Sequence, residues 1–179
     1  MCYLLLMKIR FVFPAPKNRE DVLAFYDEYR KQGTACIGYH GSEDYDSWLR
    51  MMEDRKNATH LPKGYVRENF YLCYDGDQMV GVFSLKFSLT EYLLNYGGHI
   101  GYAVAPSKRN KGYGTLILRE GLLLSKKLGF DKVLCVVDDD NIASIKIIEK
   151  NGGVYENSVY DEEEKVNVKR YWIDLSRKK

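Results

Sequence analysis

The four cysteines of this 179-residue chain, Cys2, Cys36, Cys73 and Cys135, include no C-x-x-C pair. Scattered thiols fit neither a zinc site nor a small disulfide frame, so reduced thiols and no bound metal are expected. A strong charge excess is missing too: 27 Lys and Arg face 25 Asp and Glu, for a net of +2. A dedicated nucleic-acid binder shows a larger basic surplus, so no nucleic-acid partner is expected. No apolar run is long enough for a membrane helix. MCYLLLMKIRF is too short to span, and lacks a basic leader and a small-residue cleavage site. A soluble, cytoplasmic protein without a membrane partner is the expectation, with Met7 an alternative start to Met1. Repeats, low-complexity segments and linkers are also absent, and the length suits a single domain over 1–179.

What is present is an ordinary globular composition, 45% apolar and 29% charged. Leu4 to Phe13 reads as a strand closed by Pro14 and Pro16. Asn18 is placed to cap a helix with Val22, Phe25, Tyr26 and Tyr29 on one face, ending at Gly33. A second helix is expected from Asp44 to Lys56. Phe70–Tyr74 and Gln78–Phe87 form strands around the hairpin turn Asp75-Gly76-Asp77. Ser88 to Gly98 is a short helical or looped insertion. The strand His99–Val104 and the amphipathic helix Tyr113–Leu128 follow, the latter closed at Gly129. Lys132–Val137 is continuously apolar, as a strand buried on both faces should be. A helix to Lys150 comes next, then a hairpin of Val154–Tyr160 and Val166–Leu175. The order β-α-α-β-β-(β-α-β)-α-β-β predicts a mixed α+β sheet with a central parallel pair and helices on both faces.

The turn between the strand His99–Val104 and the long helix is the most informative stretch: Arg109, Asn110, Lys111, Gly112, Tyr113 and Gly114. A helix start presents unpaired N–H groups at the positive end of its dipole, which suits a phosphate or pyrophosphate. The plain alternative is that two glycines only allow a tight entry into a closely packed helix. A Rossmann motif is disfavoured because Ile117 stands where its third glycine belongs, and a P-loop because G-K-[ST] is missing.

R-x-x-G-x-G after a strand ending A-V-x-P resembles the acetyl-CoA-binding motif of the GNAT superfamily of N-acetyltransferases. KVLCVV followed by DNIASIKIIEKNGG resembles the superfamily's second signature, and GGHIGYAV with the terminal RYWI is similar to a bacterial subfamily of predicted acetyltransferases. The resemblance spans nearly the whole chain. It implies the acyl-CoA N-acyltransferase fold, with a twisted mixed sheet of about seven strands, and transfer of an acetyl group to an unidentified amine by direct attack on the thioester. It also implies a cofactor site. Arg109, Asn110, Lys111, Gly112, Tyr113, Gly114 and Thr115 would surround the pyrophosphate, and Ala103 and Val104 would border the pantetheine where two strands splay. Asn141 and Ser144 would approach the cofactor arm, although Asn141 is equally suited to capping its helix. Lys108 is either a 3′-phosphate contact or a solvated lysine.

For the chemistry, the N–H of Val104 is expected to polarise the thioester carbonyl. His99 is the first candidate for the general base, because it opens the strand beside the thioester; a plain bond to a neighbouring main-chain group is its alternative. Glu68 and Glu91 are weaker candidates that read as solvated loop carboxylates. Asp138, Asp139 and Asp140 would repel the cofactor's phosphates. Superfamily members often carry a tyrosine seven residues after the asparagine as proton donor to the thiolate; here that residue is Ile148, and Tyr155 or Tyr113 are possible substitutes. The alternative function is a non-catalytic acyl-CoA-binding module. The first two helices and Ser88–Gly98, with Tyr39, His40, Tyr45, Trp48, Tyr92 and Tyr96, are expected to frame the acceptor, and paired edge strands allow a homodimer.

Overall fold

The computed structural model describes residues 7–39, 41 and 43–176. Leu4–Leu6 of the expected leading strand, together with Cys2 and His40, lie outside them. Seven strands form one sheet in the order β1-β2-β3-β4-β5-β7-β6. They are β1 (Ile9–Val12), β2 (Glu68–Asp75), β3 (Gln78–Lys86), β4 (Ile100–Val104), β5 (Lys132–Asp138), β6 (Val154–Asp161) and β7 (Val166–Asp174). All neighbours run antiparallel except β4 and β5.

Helices α1 (Arg19–Lys31) and α2 (Tyr45–Asn57) cover one face; α3 (Tyr113–Lys127) and α4 (Ile142–Lys150) cover the other. Each face has its own core, because a strand buried on both sides presents alternate residues to each. On the α1–α2 face, Trp48 and Val22 are fully buried with Phe25, Phe70, Leu72 and Val82. On the other, Phe83, Ile117, Leu118 and Val133 are fully buried with Leu116, Cys135 and Ile148. Each such large side chain stabilises the fold by about 1.5–3 kcal/mol.

Asp44, expected as the first residue of the second helix, is the residue that caps α2, accepting from the amides of Asp46 and Ser47. Asn18 does not cap α1 through its side chain. Its Oδ1 accepts from the Ala15 amide, and its Nδ2 donates to the Tyr74 hydroxyl at 3.1 Å. The amide is buried, so a tertiary partner and the preceding turn claim it in place of the α1 amides. The insertion after β3 contains a single π-turn, Leu93–Gly97, packed near β5.

Candidate active site

The parallel pair at the centre of the sheet is fastened at one end only. β4 has five register pairs with β3 but a single one with β5, Ile100 with Cys135. Just before that pair the His99 amide donates to the Leu134 carbonyl at 2.8 Å, and the Leu134 amide donates to His99 Nδ1 at 3.0 Å. Gly98 makes this junction possible. Its φ is +68°, and a Cβ there would stand 2.7 Å from the Leu134 carbonyl oxygen. β5 meanwhile pairs with β7 from Lys132 to Asp138, which holds it away as β4 continues along β3. The result is a wedge-shaped gap opening toward the C-terminal ends of both strands.

The antiparallel alternation decides which main-chain groups face that gap. Lys86 donates to the His99 carbonyl and Ala105 donates to the Val80 carbonyl, so the odd-numbered positions of β4 bond to β3. Tyr102 and Val104 therefore turn their N–H and C=O groups toward β5, with which they share no register pair. The Val104 carbonyl accepts from the Tyr29 hydroxyl of α1 at 2.7 Å. Both groups of Val104 thus face the opening, with a tyrosine hydroxyl beside them.

At the rim lies the glycine-containing turn. Asn110 and Gly112 have positive φ, +61° and +87°, and Gly112 precedes the first residue of α3. Among the described residues, none of the amides from Asn110 to Thr115 donates to another group. Successive free amides around a helix start form an anion cradle. Three cations edge it, each held by a neutral partner. The Arg109 guanidinium lies 5.2 Å from the Tyr29 ring and donates to Gln32, Lys108 donates to Gln78, and Lys111 donates to the Ser107 carbonyl. Gly114 has a packing reason as well, since a Cβ there would meet Ile147 Cδ1 of α4 at 2.6 Å. The Tyr113 hydroxyl donates to Asp75, and burial followed by that carboxylate pushes it up to about 12. Thr115 accepts from the Asn151 side chain through its carbonyl.

Across the gap, Asn141 caps α4 by accepting from the Ser144 amide at 3.1 Å. The Ser144 carbonyl accepts from the Tyr102 hydroxyl at 3.4 Å, linking β4 to α4. Ile148 is 1% exposed and belongs to the core, so no polar group occupies that helix position. Neither substitute tyrosine comes to the gap: Tyr113 is bonded to Asp75, and Tyr155 pairs with Ser158 on the exposed strand β6.

His99 sits at the fastened end, five positions before Val104 along a strand that rises about 3.3 Å per residue. Its ring lies between Phe130 and Trp172. Burial, and then the nearby Lys86 charge, pushes the imidazole down to about 4. With Nδ1 accepting from an amide, the neutral ring has its proton on Nε2. Glu68 differs from the solvated loop carboxylate that its sequence context suggests. It opens β2, is 7% exposed, and pairs with Arg55 at 3.1 Å and Lys86 at 3.5 Å. Glu91 is exposed. Asp138 ends β5, with its carboxyl pushed up by burial and by Asp140 and Asp139.

Two cavities lie on the α1–α2 face. One of about 660 Å³ runs between α1 and the loop after it, past Tyr26, Tyr29, Cys36 and Tyr39. The other, about 450 Å³, is lined by Ile37, Arg55, Tyr65, Glu68, Ser84, Lys86 and Tyr92. Tyr29 and Tyr102 are the gap-facing residues that sequence reasoning missed. Tyr29 reads there only as one of the apolar positions of a helix face, and nothing local signals that its hydroxyl reaches β4. Among the described residues no group of His, Cys, Asp or Glu is arranged to hold a metal ion, and no helix is long and apolar enough to cross a membrane.

A mixed sheet opened between its parallel strands, with a run of free helix-start amides at the rim of the opening, is an arrangement able to take a phosphorylated ligand. The chain belongs to the GNAT acetyltransferase family, whose domain model, described as "Acetyltransferase (GNAT) domain", matches residues 7–154. A comparison with curated proteins finds no match. Among solved structures, spermidine N-acetyltransferase from Vibrio cholerae in complex with CoA and spermine has a TM-score of 0.69 at 16% identity, over 96% of this chain and 97% of that one. The microcin C7 self-immunity acetyltransferase MccE in complex with acetyl-CoA and AMP also reaches 0.69 at 16% identity, over 93% and 92%. YncA from Salmonella typhimurium, with its cofactor acetyl-CoA, reaches 0.63 at 16% identity, over 95% and 94%. The fold is the one these proteins share.

Proposed function

We propose that the protein transfers an acetyl group from acetyl-CoA to a primary amine, with the gap between β4 and β5 as its active site. The observation behind this is the free N–H of Val104 facing an opening whose rim is the run of free amides from Asn110 to Thr115. Acetyl-CoA supplies the acetyl group as a thioester. The amides of Asn110–Thr115, with Arg109 and Lys111 beside them, bind its pyrophosphate. Ala103 and Val104 border the pantetheine, and Asn141 and Ser144 at the start of α4 close the other side. The Val104 N–H donates to the carbonyl oxygen being attacked, an oxyanion-type role that needs a fixed donor.

The Tyr29 hydroxyl is the proton donor in this reading. It stands at the Val104 carbonyl, and burial, followed by the neighbouring Cys36, pushes it up to about 12, so it keeps its proton at neutral pH. His99 has a positioning role. It already has a proton on Nε2 and its Nδ1 is engaged, which suits a fastener of β4 to β5 better than a base. An acceptor α-amine near pKa 7.8 needs only about 1 kcal/mol to be neutral at pH 7, so its first deprotonation needs no dedicated base. As the N–C bond forms and the C–S bond breaks, the thiolate takes the Tyr29 proton, the nitrogen sheds its extra proton to water, and water restores the Tyr29 hydroxyl. A cytoplasmic location fits the free thiols of Cys36, Cys73 and Cys135. A homodimer through β6 fits the exposure of Val154 and Tyr155 on that edge strand.

The second reading, a non-catalytic acyl-CoA-binding module, draws on the burial of Ile148 where a tyrosine donor is usual. Release of free CoA in the presence of an amine panel separates the two. Turnover with any amine, reduced in Tyr29→Phe, supports the transferase; acetyl-CoA binding without turnover for every amine refutes it.

A further inference from the structure

The cavity of about 450 Å³ on the α1–α2 face has a charge arrangement that the acetyl-transfer reading does not use. Its floor comes from β2 and β3. Glu68 opens β2 beside Lys86 of β3, and Ser84 lies opposite Gly101 of β4. α2 contributes Arg55, the loop before β2 contributes Gly64, Tyr65 and Val66, and the insertion before β4 contributes Tyr92 and Leu93.

Two cations share one carboxylate here. Arg55 and Lys86 are only 18% and 21% exposed in their side chains, and Glu68 is 9%. The three together leave one positive charge in a half-enclosed site, where it is screened less than on the surface. The guanidinium is also incompletely matched. Its Nη1 donates to Glu68, while its Nη2 has only the Met51 sulfur at 3.7 Å. Its Nε is buried without a hydrogen-bond partner. A buried donor left unpaired carries a desolvation cost that an acceptor would relieve. The Nε–Nη2 edge is the side on which guanidinium takes a carboxylate through two parallel bonds. The Tyr65 ring lies 4.8 Å from the guanidinium carbon, against its face.

The other wall has the opposite sign. Burial raises the Tyr92 hydroxyl, and the charges of Asp161, Glu164 and Glu163 in the β6–β7 turn raise it further. Those carboxylates confine the anion-accepting part of the cavity to the Arg55–Lys86 side. Distance along β4 sets how far that part lies from Val104. Val104 lies three residues beyond the Ser84–Gly101 pair, about 10 Å away, and five beyond the Lys86–His99 level, about 16 Å away. An extended peptide of about three to five residues covers that span.

We infer that this cavity is the acceptor subsite, and that the acceptor is a short peptide, or peptide-like amine, whose carboxylate docks on Arg55 and Lys86 while its α-amine reaches Val104. This deepens the acetyl-transfer reading and rests on it. A purely cationic polyamine, or a peptide amide, lacks the group that the floor recognises.

The test uses glycine peptides of three to five residues against their C-terminal amides, which differ only in the carboxylate. With the intact chain and saturating acetyl-CoA, kcat/KM is expected to be at least about tenfold higher for the acids. Arg55→Gln should bring the ratio to about one by raising KM for the acids more than for the amides. Arg55→Lys retains the charge facing Glu68 but loses the Nε–Nη2 edge, so it should lower the ratio while keeping the melting temperature. An acid-to-amide ratio at or below one in the unsubstituted protein, a ratio unmoved by either substitution, or preference for a diamine would overturn the inference. Peptide binding by calorimetry, acids against amides without acetyl-CoA, reads the subsite independently of turnover. Acids that bind more tightly, in a protein that neither binds acetyl-CoA nor releases CoA, would leave the subsite standing and sink the transferase reading; equal binding there would sink the subsite too.

Discussion

Replacing His99 by asparagine distinguishes a fastener from a proton carrier. In the folded chain the imidazole is held down to about 4 from an ordinary 6.5. A histidine with a depressed folded pKa stays neutral while the unfolded chain takes up a proton. Stability is therefore fully present above about pH 6.5 and declines as pH falls toward 4, below which both states are protonated. The full displacement corresponds to about 3 kcal/mol. His99 is only partly buried, and solvent screening reduces this to about 1–2 kcal/mol. The asparagine side chain of His99→Asn would not titrate, and its Oδ1 would retain an acceptor for the Leu134 amide. The assay is thermal or urea unfolding of both proteins from pH 7.5 to 4. The substitution also removes ring contacts with Phe130 and Trp172, so the signature is the change in the stability difference with pH, not its size. Carboxylates titrating in the same range contribute equally to both proteins and cancel. The advantage of the unsubstituted chain should shrink by about 1–2 kcal/mol, equivalent to roughly 2–8 °C in Tm for a chain of this size. A difference that stays constant across the range refutes the assignment of a neutral, engaged imidazole. An activity profile near neutrality that moves with His99→Asn would return the histidine to the role of base.

Two further outcomes bear on the cofactor. At acetyl-CoA about 100 times its Kd the chain should gain roughly 2.7 kcal/mol. Gly112→Asp should abolish that gain by placing a carboxylate against the phosphates, whereas Gly112→Asn, which tolerates the +87° φ without charge, should retain part of it; equal gains in both variants would contradict the cradle. Asn141→Ala should cost about 1 kcal/mol in the absence of ligand through loss of its cap, and also weaken acetyl-CoA binding. An undiminished ligand-induced rise in Tm would reduce Asn141 to a cap alone.

Much of the fold was legible because its signals are local. Apolar periodicity marked α3 and β5, and Gly76-Asp77 marked the β2–β3 hairpin that the strand pairing shows. The turn from Arg109 to Gly114 was legible for the same reason: left-handed glycine and unpaired helix-start amides follow from residue type and position alone. Signals that depend on partners were read less well. Asn18 has the right residue and place for a cap, yet Tyr74 and Ala15 claim its side chain. Glu68 resembles a loop acid until β2 is extended by two residues and Arg55 is brought over it.

The sequence by itself determined the element order, the mixed sheet and the glycine-containing turn before α3, because propensity, pattern and chain connectivity act over a few residues. Only the tertiary structure decided where β4 parts from β5, since one register pair and the pull of β7 on β5 set that point. The same applies to the Tyr29 hydroxyl at Val104 and to the two cations sharing Glu68. These groups are distant in sequence, and their direction and desolvation exist only once the two faces of the sheet are packed.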